Sequence, residues 1–333
     1  MFLETTNVKM LKDKFGRQHD YLRISITENC NFRCTYCMPI EDYPFVPQKN
    51  MMSKGEIVQI IRLFHSAGVK KVRFTGGEPL MRKDFIEILE GIQDLELSLH
   101  LTTNALLLDR YIDDLKRLNL TSINVSIDSL NKEKFKKITH RDFLDKVVSN
   151  IKLSIENGFD VRLNTVALKG VNDSEILDLI KFAIELDIPL RFIEFMPFTG
   201  NNWDLSKTLT KEEILKTVSL KYKFEAIHSS AQATASNFKI ESGGNFGIIS
   251  TITAPFCDGC NRIRVTADGK IKNCLFGTEE FDLLKSIREE KSNTAIIQES
   301  LNKKHQSLGG LSSLNKSEKH LNDKNRSMIR IGG

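Results

Sequence analysis

Six cysteines fall into two groups of three: Cys30, Cys34 and Cys37 near the start, and Cys257, Cys260 and Cys274 near the end, with none between. The first group, Cys30-Asn31-Phe32-Arg33-Cys34-Thr35-Tyr36-Cys37, has the spacing Cys-x3-Cys-x2-Cys. A loop of that length can wrap three thiolates round one face of an iron–sulfur cube. Cubane clusters usually take four thiolates, so this motif leaves one iron open. An open metal position is where a metal site does chemistry rather than holding a fold. Three cysteines within eight residues cannot all pair as disulfides. A zinc site would show two Cys-x2-Cys halves, or a Cys pair with a His pair, and no close fourth ligand follows Cys37. The second group, Cys257-Asp258-Gly259-Cys260 and then Cys274 after thirteen residues, is again a triad without an obvious fourth ligand. By spacing alone it admits a structural zinc, a structural cluster completed by a remote residue, or a second open cluster offering iron to a substrate nitrogen or oxygen.

Two further stretches carry chemistry. Gly76-Gly77-Glu78-Pro79 directly follows a β-like run. Glycines without Cβ let another molecule approach the backbone, and Glu78 can accept a hydrogen bond from an ammonium group. Between the later cysteines lies Asn261-Arg262-Ile263-Arg264. In an extended segment Arg262 and Arg264 project to one face, where two guanidiniums match phosphate oxygens.

The elements that must position these residues alternate in type. Strands are expected at 22–27, 71–75, 97–103, 122–127, 160–168 and 189–195. Helices are expected after the capping box of Ser53 and Glu56 and over 84–92, 109–118, 143–156 and 173–186. Such alternation argues for parallel βα units. Six units are too few for a closed eight-unit barrel, leaving an open partial barrel or a flat doubly wound sheet. In either, ligands sit at the carboxyl ends of the strands. That is where the first triad, Gly76-Gly77-Glu78, Thr102-Thr103-Asn104, Ser126 with Asp128, Asn164 and Met196 fall. After about residue 220 the pattern changes to short strands or a hairpin around 246–253. From about 285 onward the chain is polar and is expected to be mobile or wrapped on the core.

The 333 residues suffice for one large α/β domain plus an appendage, or for two domains. The net charge of +5 suits an anionic small molecule; it lacks the concentrated basic stripe of a nucleic-acid binder. No apolar run is long enough to span a bilayer, and no apolar signal core opens the chain. The expectation is a cytoplasmic protein without membrane or nucleic-acid partners, in a compartment that keeps thiols reduced.

The first triad, with an aromatic residue just before its third cysteine, resembles that of the radical S-adenosylmethionine enzymes. Further features narrow the likeness: the second triad, Arg23 before the first, Arg73 before Gly-Gly-Glu-Pro, Arg191-Phe192-Ile193-Glu194-Phe195-Met196, Asn-Arg-Ile-Arg and the terminal Gly332-Gly333. Together they resemble the GTP 3′,8-cyclase family of molybdenum cofactor biosynthesis over nearly the whole chain. The resemblance implies a partial (β/α)6 barrel over 1–225 and an extension over 226–333 with the second cluster. It implies two [4Fe-4S] clusters, held by Cys30, Cys34 and Cys37 and by Cys257, Cys260 and Cys274. S-adenosylmethionine would be bound by Tyr36, Gly76, Gly77, Glu78, Ser126 and Met196. GTP would be bound by Arg23, Arg73, Thr102, Arg162, Arg262 and Arg264, with Gly332 and Gly333 assisting catalysis. The implied reaction takes hydrogen from C3′ of the ribose and joins C3′ to C8 of guanine. Implied partners are a flavodoxin- or ferredoxin-like electron donor, cyclic pyranopterin monophosphate synthase as recipient of the product, and a second copy in a homodimer.

Two departures stand out. Arg162 occupies a position where the family usually has Lys, which keeps the charge but changes the geometry. Thr-Thr-Asn is followed by Ala105 rather than Gly. Three other readings remain: a radical enzyme that modifies a peptide and carries auxiliary clusters, an iron–sulfur electron-transfer or sensor protein, and a zinc-stapled binding protein.

Overall fold

In a computed structural model, residues 11–38, 43–311 and 325–332 are described. Six strands run parallel and in sequence order: β1 (Tyr21–Ser25), β2 (Lys71–Thr75), β3 (Ser98–Thr103), β4 (Leu120–Ser126), β5 (Asp160–Ala167) and β6 (Leu190–Glu194). Helices return the chain between them: α1 (Lys54–Ser66), α2 (Phe85–Glu90), α3 (Ile112–Arg117), α4 (Lys132–Thr139), α5 (Leu144–Glu156) and, leading into β6, α6 (Ile176–Glu185). The capping box at Ser53 and Glu56 forms as expected, with Ser53 Oγ accepting from the Glu56 amide and Glu56 from the Ser53 amide. The expected helices over 109–118 and 173–186 each begin with a short 3₁₀ turn, so their α segments are shorter.

The later part of the chain is woven into this sheet. After α7 (Lys211–Ser219) come β7 (Phe224–Ile227), β8 (Ser236–Ile240) and β9 (Asn245–Ile249), then β10 (Arg262–Val265), β11 (Lys270–Lys272) and β12 (Phe281–Asp282). β9 joins β6 and β10 joins β1, both in parallel, and antiparallel strands extend each edge. The single twelve-stranded sheet has the order β12-β11-β10-β1-β2-β3-β4-β5-β6-β9-β8-β7 and does not close. Of the stretch from about 285, expected to be mobile or wrapped on the core, the first part is wrapped on it: it forms α8 (Leu283–Arg288) and α9 (Asn293–Asn302), pinned by buried Leu284, Ile297 and Leu301. A last helical turn, α10 (Met328–Ile331), precedes Gly332.

Alternation along the strands separates two faces. Leu22 and Ile24, Val72 and Phe74, Ile123 and Val125, Leu163, and Leu190 and Phe192 are buried against the helices, chiefly Ile57, Ile60, Ile61 and Phe64 of α1 and Phe85 of α2. Phe74 meets Phe85 edge to face at 5.4 Å; truncating such a buried ring costs about 3–5 kcal/mol. The opposite face is polar, and its composition defines the site.

Candidate active site

Strand register sets the polar face out as rows. Arg264 lies opposite Arg23, Arg23 opposite Arg73, and Arg73 opposite His100. Thr102 lies opposite Asn124, Asn124 opposite Arg162, and Asn164 opposite Arg191. Two residues nearer the amino end, and so on the same face of the pleat, Arg262, Tyr21 and Lys71 form a second row. Of the residues expected to bind GTP, Arg23, Arg73, Thr102, Arg162, Arg262 and Arg264 are thus all on this face. Lys71 and Arg191 join them; strand alternation was the signal that could have found both.

These cations crowd one another. Burial, then Arg23 and Arg262, bring Arg264 down to about 9, and burial, then Arg162 and Arg73, bring Arg191 to about 10. Arg264 Nη1 is buried without a hydrogen-bond partner among the described residues. Arg73 is more committed: it donates to the Leu101 carbonyl at 2.7 Å, to Tyr21 Oη at 2.8 Å, and lies 3.2 Å from His100 Nδ1. Arg162 pairs with Asp160 at 2.6 Å and donates to Ser122 at 3.2 Å. A face with this excess of positive charge fits a polyanion, whose bidentate oxygens would satisfy the guanidiniums.

The two cysteine triads lie at opposite ends of this face. The first follows the carboxyl end of β1. Its loop is held by the Cys37 and Met38 amides donating to the Cys34 carbonyl, and by Arg33 and Thr35 amides donating to Thr139 and Ile138 at the end of α4. Tyr36 Oη donates to Asp128 at 2.6 Å, and Asp128 accepts the Val166 amide at 2.8 Å. That link between loop and sheet was not expected. The glycines after β2 are needed by the chain itself. A Cβ on Gly76 would fall 2.5 Å from the Thr27 carbonyl oxygen, and one on Gly77 2.4 Å from that of Asn29. It is the chain's own segment leading to Cys30 that approaches their backbone. Gly77 and Glu78 amides donate to the Thr27 and Asn29 carbonyls, so the two motifs are locked together.

Glu78 is buried, and accepts from Thr103 Oγ1 and from the Asn104 and Leu80 amides. Burial outweighs these bonds and pushes its carboxyl up to about 7, a state that a neighbouring ammonium would reverse. Ser126 ends β4 opposite Asn164. Met196 packs beside Phe198, Phe276 and Ile331.

The second triad closes the amino end. Cys257 and Cys260 immediately precede β10, and Cys274 follows antiparallel β11. A five-residue strand at about 3.3 Å per residue separates the two ends by on the order of 15 Å. Arg17 binds the Cys257 carbonyl at 2.8 Å, and the Leu308 amide donates to Cys257 Sγ at 3.5 Å. All six cysteines are free and partly exposed. Among the described residues no three His, Cys, Asp or Glu side chains converge closely enough to hold a single metal ion. Three unpaired thiols on each short framework, one pair of strands apart, suit the wider footprint of a cubane with three cysteine ligands.

The tail completes the carboxyl end. Arg326 grips Asp268 and Glu280 together through its whole guanidinium, with contacts of 2.5–2.9 Å. Arg330 binds the Pro44 carbonyl and lies 3.8 Å from Glu28. Gly332, with φ +83°, sits where a Cβ would come 2.6 Å from Thr75 Oγ1 and 2.7 Å from Ser25 Cβ. It therefore docks at the ends of β1 and β2, beside both carboxyl-end motifs. Gly333 lies outside the described residues.

Fold and site together define the class as that of the radical S-adenosylmethionine enzymes, which carry a [4Fe-4S] cluster and S-adenosylmethionine. Residues 24–183 match the family described as the radical SAM superfamily, and residues 188–309 the one described as Molybdenum Cofactor Synthesis C. The GTP 3′,8-cyclase of Listeria welshimeri is 42% identical over 306 residues, covering 89% of this chain and 91% of that protein. The mitochondrial GTP 3′,8-cyclase of Arabidopsis thaliana is 40% identical over 332 residues, covering 97% and 84%. Human molybdenum cofactor biosynthesis protein 1 is 40% identical over 329 residues, covering 96% of this chain and 51% of that protein. The chain belongs to the GTP 3′,8-cyclase family. Among solved structures, Streptococcus suis SuiB bound to precursor peptide SuiA superposes with a TM-score of 0.60 at 19% identity, over 96% of this chain and 72% of that one; this likeness is one of fold. No helix among the described residues is long and apolar enough to cross a membrane.

Proposed function

We propose that the chain converts GTP to (8S)-3′,8-cyclo-7,8-dihydroguanosine 5′-triphosphate, the reaction of its family and the first step of molybdenum cofactor biosynthesis. The observation that carries this reading is the row of cations, buried at Arg73 and partly buried elsewhere, strung between two free cysteine triads. When bound, the first cluster and S-adenosylmethionine supply a hydrogen-abstracting radical, and the second cluster supplies an open iron for the guanine edge. The protein's own residues do the rest.

Cys30, Cys34 and Cys37 hold the first cluster in a loop fixed by the Tyr36–Asp128 bond. Glu78 receives the cofactor's ammonium, and Gly76 and Gly77 shape its seat; Ser126 and Met196 flank it. Cys257, Cys260 and Cys274 hold the second cluster. Arg23, Arg73, Arg162, Arg262 and Arg264, with Thr102, bind GTP, whose triphosphate of about four negative charges matches a field of this sign. Gly332 and Gly333 assist at the carboxyl end. On this reading the barrel spans 1–225 and supplies the radical, while 226–333 selects the substrate. The partners that follow are a one-electron donor of flavodoxin or ferredoxin type and cyclic pyranopterin monophosphate synthase as recipient of the product. Homodimerisation is to be read from sedimentation.

The test is anaerobic reconstitution to about eight irons per chain, two cubanes of four. Incubation with reductant, S-adenosylmethionine and GTP follows, with the products identified. 5′-Deoxyadenosine formed together with the cyclised nucleotide is expected. Cofactor cleavage indifferent to GTP but responsive to a peptide would overturn the reading.

A further inference from the structure

Lys304 follows α9 and is 2% exposed. Its ammonium donates to the Arg262 carbonyl at 3.1 Å and to the Asn273 carbonyl. Arg262 lies two residues beyond Cys260, and Asn273 immediately precedes Cys274. One side chain therefore bridges the two segments that bring the second triad together, the entrance to β10 and the exit from β11.

The charge on this side chain is unusual in its setting. Arg17 nearby is also buried, but Asp13 neutralises it at 2.7 Å. Lys304 has no carboxylate partner among the described residues. The groups whose negative charge would favour it are Cys260 and Cys274, while Arg17 and Arg262 repel it. A buried charge without a counter-charge is strongly destabilising; two carbonyls satisfy its N–H groups but not its charge. The surroundings make sense when a negatively charged group occupies the triad. Three thiolates around a [4Fe-4S]²⁺ core leave a net negative charge, which grows on reduction. Groups outside the ligand set that hold ligands and balance charge tune both affinity and potential.

We propose that Lys304 is the positioning residue and counter-cation of the second cluster, clipping its two ligand segments together and favouring its reduced form. The inference rests on the two-cluster reading above.

Lys304→Met, of similar volume but uncharged, and Lys304→Arg test it in the full chain, reconstituted anaerobically beside wild type. In Lys304→Met the second cluster is expected to titrate at a more negative potential, followed by electron paramagnetic resonance. A chelator should strip it about tenfold faster or more, in the range that such outer partners contribute. The first cluster should be unchanged and Lys304→Arg should restore most of the loss. A second measurement covers a variant that folds poorly: the rise in melting temperature on cluster loading should be smaller in Lys304→Met than in wild type, each compared with its own metal-free form. An unchanged potential and stripping rate, or an equal rise on loading, would overturn the proposal while leaving the two-cluster reading intact. Four irons in wild type would overturn both.

Discussion

The first triad hangs from the carboxyl end of β1 among carboxylates; the second closes the amino end of the same sheet among cations. At the first, burial and then Glu78 push the Cys30 thiol up to about 12, and burial, Cys30 and Asp128 push Cys37 to about 12. At the second, burial is outweighed by Lys304 and Arg262, and Cys260 comes down to about 6. Two cysteine triads are thus set in opposite fields. The first end is poised to receive positive charge, such as a cofactor ammonium beside Glu78. The second, with the arginines above it, is poised to receive a polyanion.

The contrast can be broken most directly at the cysteines. Cys34→Ser should abolish cleavage of S-adenosylmethionine, whereas Cys274→Ser should keep cofactor binding and abolish GTP turnover, each variant retaining about four irons. Normal GTP turnover in Cys274→Ser would erase the division of labour. Deleting Gly332 and Gly333 comes next: both clusters should load, while product formation falls roughly 100-fold, the scale of a misplaced positioning group. Unimpaired product would make the docked tail incidental.

Removing Arg264 should weaken GTP binding about 10- to 100-fold, from a charge-assisted contact of about 1.5–3 kcal/mol. Isothermal titration in the non-turnover state reads this, and S-adenosylmethionine affinity should not move. At the other end the sensitive variable is pH. Glu78 ionises near 4.5 ordinarily and near 7 in the fold. Its contribution to the stability of the cofactor-free protein is therefore full below 4.5 and is lost as pH rises through 7. An ammonium ligand wants the carboxylate, so S-adenosylmethionine affinity should rise about tenfold between about pH 6 and about pH 8. Glu78→Gln should bind weakly and without that slope. The smallest effect is expected from Arg162→Lys, a change in GTP affinity of about threefold or less, because the charge is kept and Asp160 already holds the side chain.

Much of this arrangement was legible in the chain. Alternating runs gave the six central strands to within a few residues, and Ser53 with Glu56 marked the start of α1. Two helices passed unread although signals existed: Thr210 and Glu213 form a capping box for α7, and Asn131 caps α4 through the Lys134 amide. α4 is rich in Lys, which blurs its apolar stripe; α7 shows one in Ile214 and Val218, but it follows the last expected strand, outside the repeating βα pattern. At Gly76 and Gly77 the sequence showed backbone open to close approach, but not that residues 27–29 approach it, a contact between segments nearly fifty residues apart that no local pattern encodes. Lys304 gave no signal, because Lys303-Lys304 at the end of a helix reads as solvated surface until the structure buries the second of them.

What the sequence determined by itself was the chemistry. Cys-x3-Cys-x2-Cys, a second triad, and arginines two apart in an extended segment define ligands and charges through residue type and short-range geometry alone. What only the tertiary structure decided was direction. β10 returns to lie parallel to β1, with Arg262 opposite Tyr21, and this places Cys257, Cys260 and Cys274 at the end of the sheet opposite Cys30, Cys34 and Cys37. The reason is physical: edge pairing between strands some 240 residues apart depends on which edge remains open after six parallel strands have packed, and that is a property of the assembled sheet.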